Sequence, residues 1–360
     1  PQENGARKVY SGINSCTQYV SEETDSILES DHFKAIYTTS GQHAATYQYV
    51  SSLLNSAEYI WNHEVNVMGL PEPILYQTDK YKIYVCDLAG ITSGILGVTW
   101  TEATFDDDTA ASRIEMDNDY IISGLNKHGM TEEEYAALVF SHEYFHAIQF
   151  GINYAAPTLW LLETNAVWME EEVYPESNDY LYLYTPILFN APDISIDYNE
   201  GIFVYAASMF FRHITENVSD RSFVVEMWDS LESQCSQYTV PAWCDWQVSE
   251  IPLVNEMLDE LDKDIYTVYR DFNVANFTGG YADGAHSAFP DVKTETITLS
   301  EQSSETEERL DHLAAHLYKT NCPTCGDYSD IHISFSGNQV SSNWYVSLIV
   351  EEQDVYTITH

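Results

Sequence analysis

Residues 131–150 read TEEEYAALVFSHEYFHAIQF, and this stretch predicts the central helix of the fold. Thr131 and Glu134 have the spacing of a capping box, in which each side chain accepts a hydrogen bond from the other residue's backbone N–H. Apolar residues such as Leu138 and Phe145 then surround the helix axis almost completely. A helix that is apolar nearly all round lies in a core, so we predict a buried helix here.

The same helix carries the pattern HEYFH at residues 142–146. His142 and His146 are four residues apart and project from one face, so both imidazoles can bind one metal ion. Glu143 points towards the position where a metal-bound water would lie. Zinc lowers the pKa of such a water to about 7, and the carboxylate can accept its proton. The alternative is a buried, hydrogen-bonded histidine pair with Glu143 as an ion-pair partner, which is costly to bury without a metal.

Catalytic zinc takes three protein ligands, and a helix predicted over residues 158–172 offers the third. Glu163 lies 17 residues after His146, which leaves room for a turn and an antiparallel return. Glu163 and Glu170 are seven residues apart and share a face. We assign Glu163 as the third ligand and Glu170 as the carboxylate that orients a ligand histidine through its other ring nitrogen.

HExxH followed by a glutamate on the next helix resembles the gluzincin clan of zinc peptidases. The WLLE stretch at residues 160–163, with a second glutamate seven residues on, resembles the aminopeptidase branch, whose first glutamate binds zinc and whose second supports a histidine. The chain is also similar to a family of secreted bacterial and archaeal metallopeptidase-like proteins through residues 142–150, 163–175 and 117–120. The resemblance covers about residues 30–235. It implies a zincin-like fold, a zinc cofactor and a peptide or protein substrate.

Two further features follow this resemblance less closely. Gluzincins often stabilise the oxyanion with a Tyr or His, and Tyr205 opens a segment similar to the Tyr-x-x-Gly helix of the aminopeptidase branch, without its glycine. The alternative for Tyr205 is a core tyrosine. Residues 116–118 loosely resemble the strand that aminopeptidases use to hold a substrate N-terminus, but the flanking residues differ and Asp replaces Glu. We therefore favour an endopeptidase and expect this strand to pair with an extended substrate.

The charge balance excludes two classes of partner. Lys and Arg total 14 and Asp and Glu total 57, for a net charge of −43. A surface this acidic repels nucleic acid and anionic lipid. No stretch approaches 18 consecutive apolar residues, so we predict no membrane span. The acidity suits a salty or calcium-rich medium, or serves simple solubility.

The acidic residues near the middle of the chain could also bind calcium, through the oxygen ligands that this ion prefers. The alternative is a solvated acidic loop. The residues concerned are Asp106, Asp107, Asp108, Asp117 and Asp119.

The cysteine count and the first residues indicate a secreted chain. Residues 1–5 lack the charged and apolar regions of a signal peptide and resemble the start of a mature chain, at an extracellular or cell-surface location. The six cysteines form an even set. Two pairs are close in sequence, which leaves Cys16 for Cys86, although this is one of 15 possible connectivities. The close pairs are Cys235 with Cys244 and Cys322 with Cys325.

The remaining patterns predict an α+β protein. Alternation indicates strands at residues 33–37, 81–88 and 113–116, with a Gly/Thr-rich loop before the acidic cluster at 106–108. Helices are expected at residues 43–67, 200–217, 220–232 and 252–272. Beyond residue 294, short alternating segments at 331–335 and 344–348 indicate strands. We predict a zincin-like (gluzincin) catalytic domain over residues 1–290 and a β-rich, sandwich-like domain over residues 291–360.

Other classes of function stay open at this point. An extracellular structural subunit, of a surface layer or filament, would retain a peptidase fold for assembly, and acidity, aromatic richness and a β-rich tail would suit self-association. A carbohydrate- or adhesion-binding protein would rely on exposed Trp and Tyr, but no motif supports it. His312 and His316 repeat the ligand spacing with Leu at the base position, and serve as an internal comparison.

Overall fold

The computed structural model describes residues 15–92, 94–121, 125–155, 157–235, 250–298, 312–321, 347–352 and 355–359. The strands are β1 (Ser26–Glu29), β2 (Phe33–Tyr37), β3 (Tyr81–Cys86), β4 (Gly97–Thr104), β5 (Ala110–Asp117), β6 (Glu295–Thr298), β7 (Tyr318–Asn321), β8 (Leu348–Glu352) and β9 (Val355–Thr359). The first helices are α1 (Tyr47–Trp61), α2 (Leu88–Ile91), α3 (Glu132–Ile152) and α4 (Leu159–Val173). The later ones are α5 (Asp179–Leu183), α6 (Thr185–Asn190), α7 (Phe203–Ala206), α8 (Ser208–His213), α9 (Ser222–Cys235), α10 (Ile251–Glu260) and α11 (Ile265–Thr278). Wide π-type turns extend α1 over Asn62–Val67 and α8 over Ile214–Val218.

A five-stranded mixed sheet forms one layer, in the order β1-β2-β3-β5-β4. The inner pairs β2–β3 and β3–β5 are parallel, and the outer pairs β1–β2 and β4–β5 are antiparallel. Side chains alternate between two faces, as the pleat requires. Ile83 and Ile114 join the main core with α1 and α3, whereas Ile36, Tyr84 and Val98 form a small second core on the opposite face. The chain is therefore a mixed α and β protein, as predicted.

Helix α3 lies in the main core, as its sequence predicted. Thr131 accepts a hydrogen bond from the backbone N–H of Glu134 at 3.2 Å, and Glu134 accepts one from the Thr131 N–H at 2.8 Å. The capping box is therefore present, and it satisfies N–H groups that the first helical turn leaves unpaired. Phe140 and Tyr144 pack edge-on against Phe33 of β2. These contacts bring the helix beneath the sheet.

Helix α4 returns alongside α3 after a short connection, and its start is anchored from a distant part of the chain. Thr158 is its N-cap. Glu250, which is buried, accepts hydrogen bonds from the backbone N–H of Thr158 at 2.6 Å and from its hydroxyl at 2.7 Å. Burial raises the pKa of Glu250 to about 7, although the Thr158 hydrogen bonds oppose the shift. The interaction fixes where α4 begins, and hence where its carboxylates lie.

Three sequence predictions are wrong in detail. The predicted Gly/Thr-rich loop contains strand β4, because Val98, Thr99 and Trp100 are strong strand formers once β5 pairs with them. The predicted helix 252–272 is two helices: Asp262 adopts a φ of 56°, and Asp264 caps the start of α11. Strand β5 lies between β3 and β4, so its backbone is already paired and cannot pair with a substrate.

The segment after residue 290 contains two small sheets among its described residues. Strands β6 and β7 pair in parallel, and β8 and β9 pair antiparallel. The described piece around Leu313 binds the helical region, because Ile196 N–H donates to the Leu313 carbonyl at 3.1 Å and Ala315 N–H to the Pro192 carbonyl at 2.8 Å. Residues 331–335 lie outside the described residues, as do most of 344–348. The domain boundary at residue 290 stays a prediction.

A disulfide joins Cys16 to Cys86, at the end of β3, as the sequence pairing predicted. The side chains of the other four cysteines lie outside the described residues. None of the described helices combines the length and apolar character needed to cross a membrane.

Candidate metal centre

Three side chains from α3 and α4 converge on one point. The Nε2 atoms of His142 and His146 are 3.1 Å apart. An oxygen of Glu163, Oε2, lies 3.2 Å from His142 Nε2 and 3.4 Å from His146 Nε2. All three residues are buried. Among the described residues, they form the only group of three or more His, Cys, Asp or Glu side chains close enough to share a metal ion.

Each histidine has a separate partner on its other ring nitrogen. His142 Nδ1 lies 2.7 Å from Oε1 of Glu170, and His146 Nδ1 lies 2.7 Å from Oε1 of Gln149. Both partners are acceptors, so in a neutral imidazole the proton resides on Nδ1. Both Nε2 atoms then carry lone pairs directed at Glu163, whose carboxylate can only accept.

Three acceptors facing each other at contact distance require a positive charge between them. Tetrahedral zinc, with bonds of about 2.0–2.2 Å to nitrogen and oxygen, sets its ligand atoms about 3.3–3.5 Å apart. The separation of 3.4 Å lies in that range, and those of 3.1 and 3.2 Å lie slightly below it. The alternative to a metal is protonation. Burial lowers the pKa of His142, but its hydrogen bonds with Glu163 and Glu170 outweigh burial and raise that pKa well above its ordinary value. A proton on His142 can thus supply the charge when no metal is bound, whereas the chemistry of the three donors and their separations fit a divalent cation.

Electrostatics distinguish the two glutamates. Burial raises the pKa of Glu163, but the charges and hydrogen bonds of His146 and His142 reverse the shift and lower this pKa well below its usual range. Burial dominates at Glu170 and raises its pKa, with only partial compensation from His142. Glu163 is thus the carboxylate that stays ionised at the centre of the site.

Glu143 lies against strand β4. The Thr99 hydroxyl is 2.7 Å from Glu143 Oε2 and 2.7 Å from the Glu143 backbone carbonyl, so its single proton has two acceptors. Gly97 packs so closely that a Cβ there would lie 2.8 Å from Glu143 Cγ and 2.8 Å from Val139 Cγ1. The edge of the sheet therefore restricts where the Glu143 side chain can lie.

The Tyr205 ring also comes to the site. It stacks with the His142 ring at 6.1 Å between centroids and with the Tyr184 ring at 5.4 Å. Tyr205 belongs to the short helix α7 and is partly buried. The structure thus brings together all six residues that the sequence selected: His142, Glu143, His146, Glu163, Glu170 and Tyr205.

The predicted calcium ligands do not form a comparable group within the described residues. Asp107 is exposed and accepts a hydrogen bond from Thr109 within its own turn, between β4 and β5. Asp117 is buried and accepts from the backbone N–H groups of Ala89 at 2.9 Å and Tyr120 at 3.1 Å. Hydrogen bonds from other parts of the protein therefore already engage Asp107 and Asp117, and the exposure of Asp107 favours the solvated-loop alternative for residues 106–108.

The comparison pair His312 and His316 does not share a site. His312 Nε2 pairs with Asp197 at 2.9 Å, and His316 Nδ1 lies 3.2 Å from the Tyr318 hydroxyl. Spacing alone therefore does not make a metal site in this chain.

Three residues that contact the site were not predicted from the sequence: Thr99, Gly97 and Gln149. Gln149 is three residues after His146 and so lies on the same helix face, which was a usable signal. Thr99 and Gly97 belong to a strand that was taken for a loop, and their contacts with α3 depend on the folded sheet.

Comparison with known proteins adds no relative. No protein-family model matches the chain, and a search of curated proteins finds no significant match.

Proposed function

We propose that this protein is a secreted zinc-dependent peptidase with a zincin-like, gluzincin-type catalytic domain. The observation that carries the proposal is the convergence of three buried acceptors, His142 Nε2, His146 Nε2 and Glu163 Oε2, within 3.1–3.4 Å of each other. A buried HExxH helix beneath a sheet, followed by a helix that returns a glutamate, supports the gluzincin interpretation. Zinc held there would polarise a scissile carbonyl and supply a water that ionises near neutral pH.

Three side chains have separate roles in the proposed hydrolysis. Glu143 accepts the proton of the attacking water and passes it to the leaving amine. Tyr205 stabilises the oxyanion. Glu170 accepts a hydrogen bond from His142 Nδ1–H and so holds this imidazole in the tautomer that a metal requires.

Two features favour endopeptidase action. Asp117, the nearest equivalent of a residue that would hold a substrate N-terminus, is buried and hydrogen-bonded to backbone N–H groups. Strand β4 is the edge strand of the sheet, and its Thr99 contacts Glu143. An extended peptide added to this edge would run past the general base.

Secretion is supported by the Cys16–Cys86 disulfide, because such bonds persist in oxidising compartments. The net charge of −43 fits a medium whose salt screens the repulsion between carboxylates.

The test compares the wild type with Glu143→Gln and with Glu133→Gln, an exposed glutamate in the first turn of the same helix. Metal content is measured by mass spectrometry and peptidase activity on a panel of unfolded proteins. We expect about one zinc per chain in all three proteins, and a fall of about 10²-fold or more in kcat/KM for Glu143→Gln only.

The proposal would be refuted if the wild type contains no zinc as purified and binds none when zinc is added. A Glu143→Gln variant with full activity on the same panel would also refute it. Zinc binding without any hydrolysis would favour the structural-subunit alternative.

A further inference from the structure

The two histidines of the candidate site are held by chemically different partners. His142 has the Glu170 carboxylate on Nδ1, whereas His146 has the neutral amide of Gln149. Gln149 is fully buried. A buried amide is costly unless both of its ends are hydrogen-bonded, so the hydrogen-bond partners of Gln149 determine which way its amide points.

The Gln149 amide has only one orientation that satisfies both ends. Its Nε2 donates to the backbone carbonyl of Leu162 at 3.1 Å, and that carbonyl can only accept. Its Oε1 must then face His146 Nδ1, at 2.7 Å. An amide oxygen can only accept, so His146 carries its proton on Nδ1 and presents the Nε2 lone pair to Glu163.

The same amide joins the two helices that supply the metal ligands. Gln149 belongs to α3, whereas Leu162 belongs to α4 and immediately precedes Glu163. A shift of α4 along α3 would therefore break the Leu162 hydrogen bond and turn the amide away from His146. Gln149 thus couples the position of Glu163 on α4 to the orientation of the His146 ring on α3.

We propose that Gln149 is a positioning residue. It sets the metal-binding tautomer of His146 and holds the His146 ring in a fixed position relative to Glu163. This inference rests on the proposed zinc site. Residues that hold a ligand histidine typically change metal affinity by about 10–100-fold when they are removed.

Three variants separate this role from simple packing. Gln149→Met keeps the length of the side chain and removes both hydrogen bonds. Gln149→Glu keeps an acceptor for His146 and removes the donor to Leu162. Gln48→Met is the matched control, because Gln48 is exposed at the start of α1.

The measurements are the zinc dissociation constant, from competition with a chromophoric chelator, and the visible spectrum of the Co²⁺-loaded protein. We expect Gln149→Met to bind zinc about 10–100-fold more weakly, with a Co²⁺ spectrum of altered intensity. Gln149→Glu should bind zinc about two- to fivefold more weakly than the wild type, because it keeps the acceptor for His146 and loses only the donor to Leu162. Gln48→Met should match the wild type.

Equal zinc affinity in wild type and Gln149→Met would overturn the inference, as would equal losses in Gln149→Met and Gln149→Glu. Should Gln149→Met fail to fold by circular dichroism, Gln149→Glu decides alone, and a zinc affinity equal to that of the wild type would then overturn the inference. A wild type that binds no zinc refutes the proposed function instead, so the two failures are distinguishable.

Discussion

Gly97 and Glu143 are in direct contact, which makes a backbone position on β4 part of the site. The space for a side chain at residue 97 is already filled by Glu143 Cγ and Val139 Cγ1. Because Cγ lies in the middle of the Glu143 side chain, it cannot yield without moving the carboxylate. Glycine is therefore required here for close packing and not for backbone conformation.

We expect Gly97→Ala to lower kcat/KM by about 10-fold or more while zinc content stays unchanged, because a displacement of the general base by a fraction of an ångström is costly. The measurement is steady-state kinetics with parallel metal analysis. Gly151→Ala, in the same helix α3, is the control: its new Cβ would meet nothing closer than 3.5 Å, so it should keep full activity. Unchanged kinetics in Gly97→Ala would show that Glu143 is not confined by β4.

A second residue of interest is Glu64, in the π-type turn that follows α1. It is fully buried, and neither carboxyl oxygen has a hydrogen-bond partner among the described residues. Burial raises the pKa of Glu64 well above its ordinary value of 4.5. The folded state therefore holds this proton more tightly than the unfolded state does. The stability associated with the protonated form is complete below about pH 4.5 and is lost as the pH rises towards the raised pKa.

Replacing Glu64 with Met should remove this loss, because Met fills similar space without a charge. We expect Glu64→Met to exceed the wild type in unfolding free energy by about 1–3 kcal/mol at pH 7.5, with a smaller difference at pH 4.5. Urea unfolding at both pH values measures it. Glu256→Met, at an exposed position on α10, should show no such change with pH. A Glu64→Met advantage that does not vary with pH would contradict the assignment.

At the scale of elements, the disulfide attaches the N-terminal turn Cys16–Gln18 to the end of β3. Cys16 N–H also donates to Glu115 on β5, at 2.7 Å. These contacts close the small second core on the face of the sheet away from α3. The disulfide thus stabilises the sheet without touching the metal ligands.

We expect the double variant Cys16→Ala/Cys86→Ala to lose up to about 4 kcal/mol of unfolding free energy, since the bond closes a loop of 70 residues. Urea unfolding measures this loss. Zinc affinity in the folded variant should equal that of the wild type. An unchanged urea midpoint, or a loss of zinc from the folded variant, would contradict this separation of roles.

Elements whose signals are local were predictable from the sequence. The capping box and apolar composition predicted α3, and the seven-residue spacing of Glu163 and Glu170 predicted that both face α3. Strand β4 was missed because glycines at residues 90, 94 and 97 indicate a loop, although Val98, Thr99 and Trp100 favour a strand once β5 pairs with them. The contacts of Thr99 with Glu143 and of Gln149 with Leu162 were hidden because each joins two different elements. Helical periodicity identifies a face, but it does not identify which distant atom that face contacts.

At the scale of the whole molecule, the net charge of −43 acts on every carboxylate at once. Like charges at this density repel each other, and compactness brings them closer than they are in the unfolded chain. Added salt screens this repulsion.

We therefore expect the Tm to rise on the order of 5 °C or more between 0.01 M and 0.5 M NaCl at pH 7.5. Differential scanning calorimetry measures the shift. The same titration at pH 4.5 should give a smaller rise, because many carboxylates are then protonated. A Tm that falls with salt at pH 7.5 would indicate that attractive ion pairs outweigh repulsion.

The helical hairpin of α3 and α4 affects the order in which the molecule folds. Both proposed ligand histidines, the third ligand and both of their supporting side chains lie between residues 142 and 170. Contacts between chain neighbours form faster than contacts between distant segments, and β2, β3 and β5 are joined only across long stretches of chain. We therefore expect the helical hairpin that carries the proposed ligands to form before the sheet is complete. Metal availability during folding would then influence the yield of native protein as well as its activity.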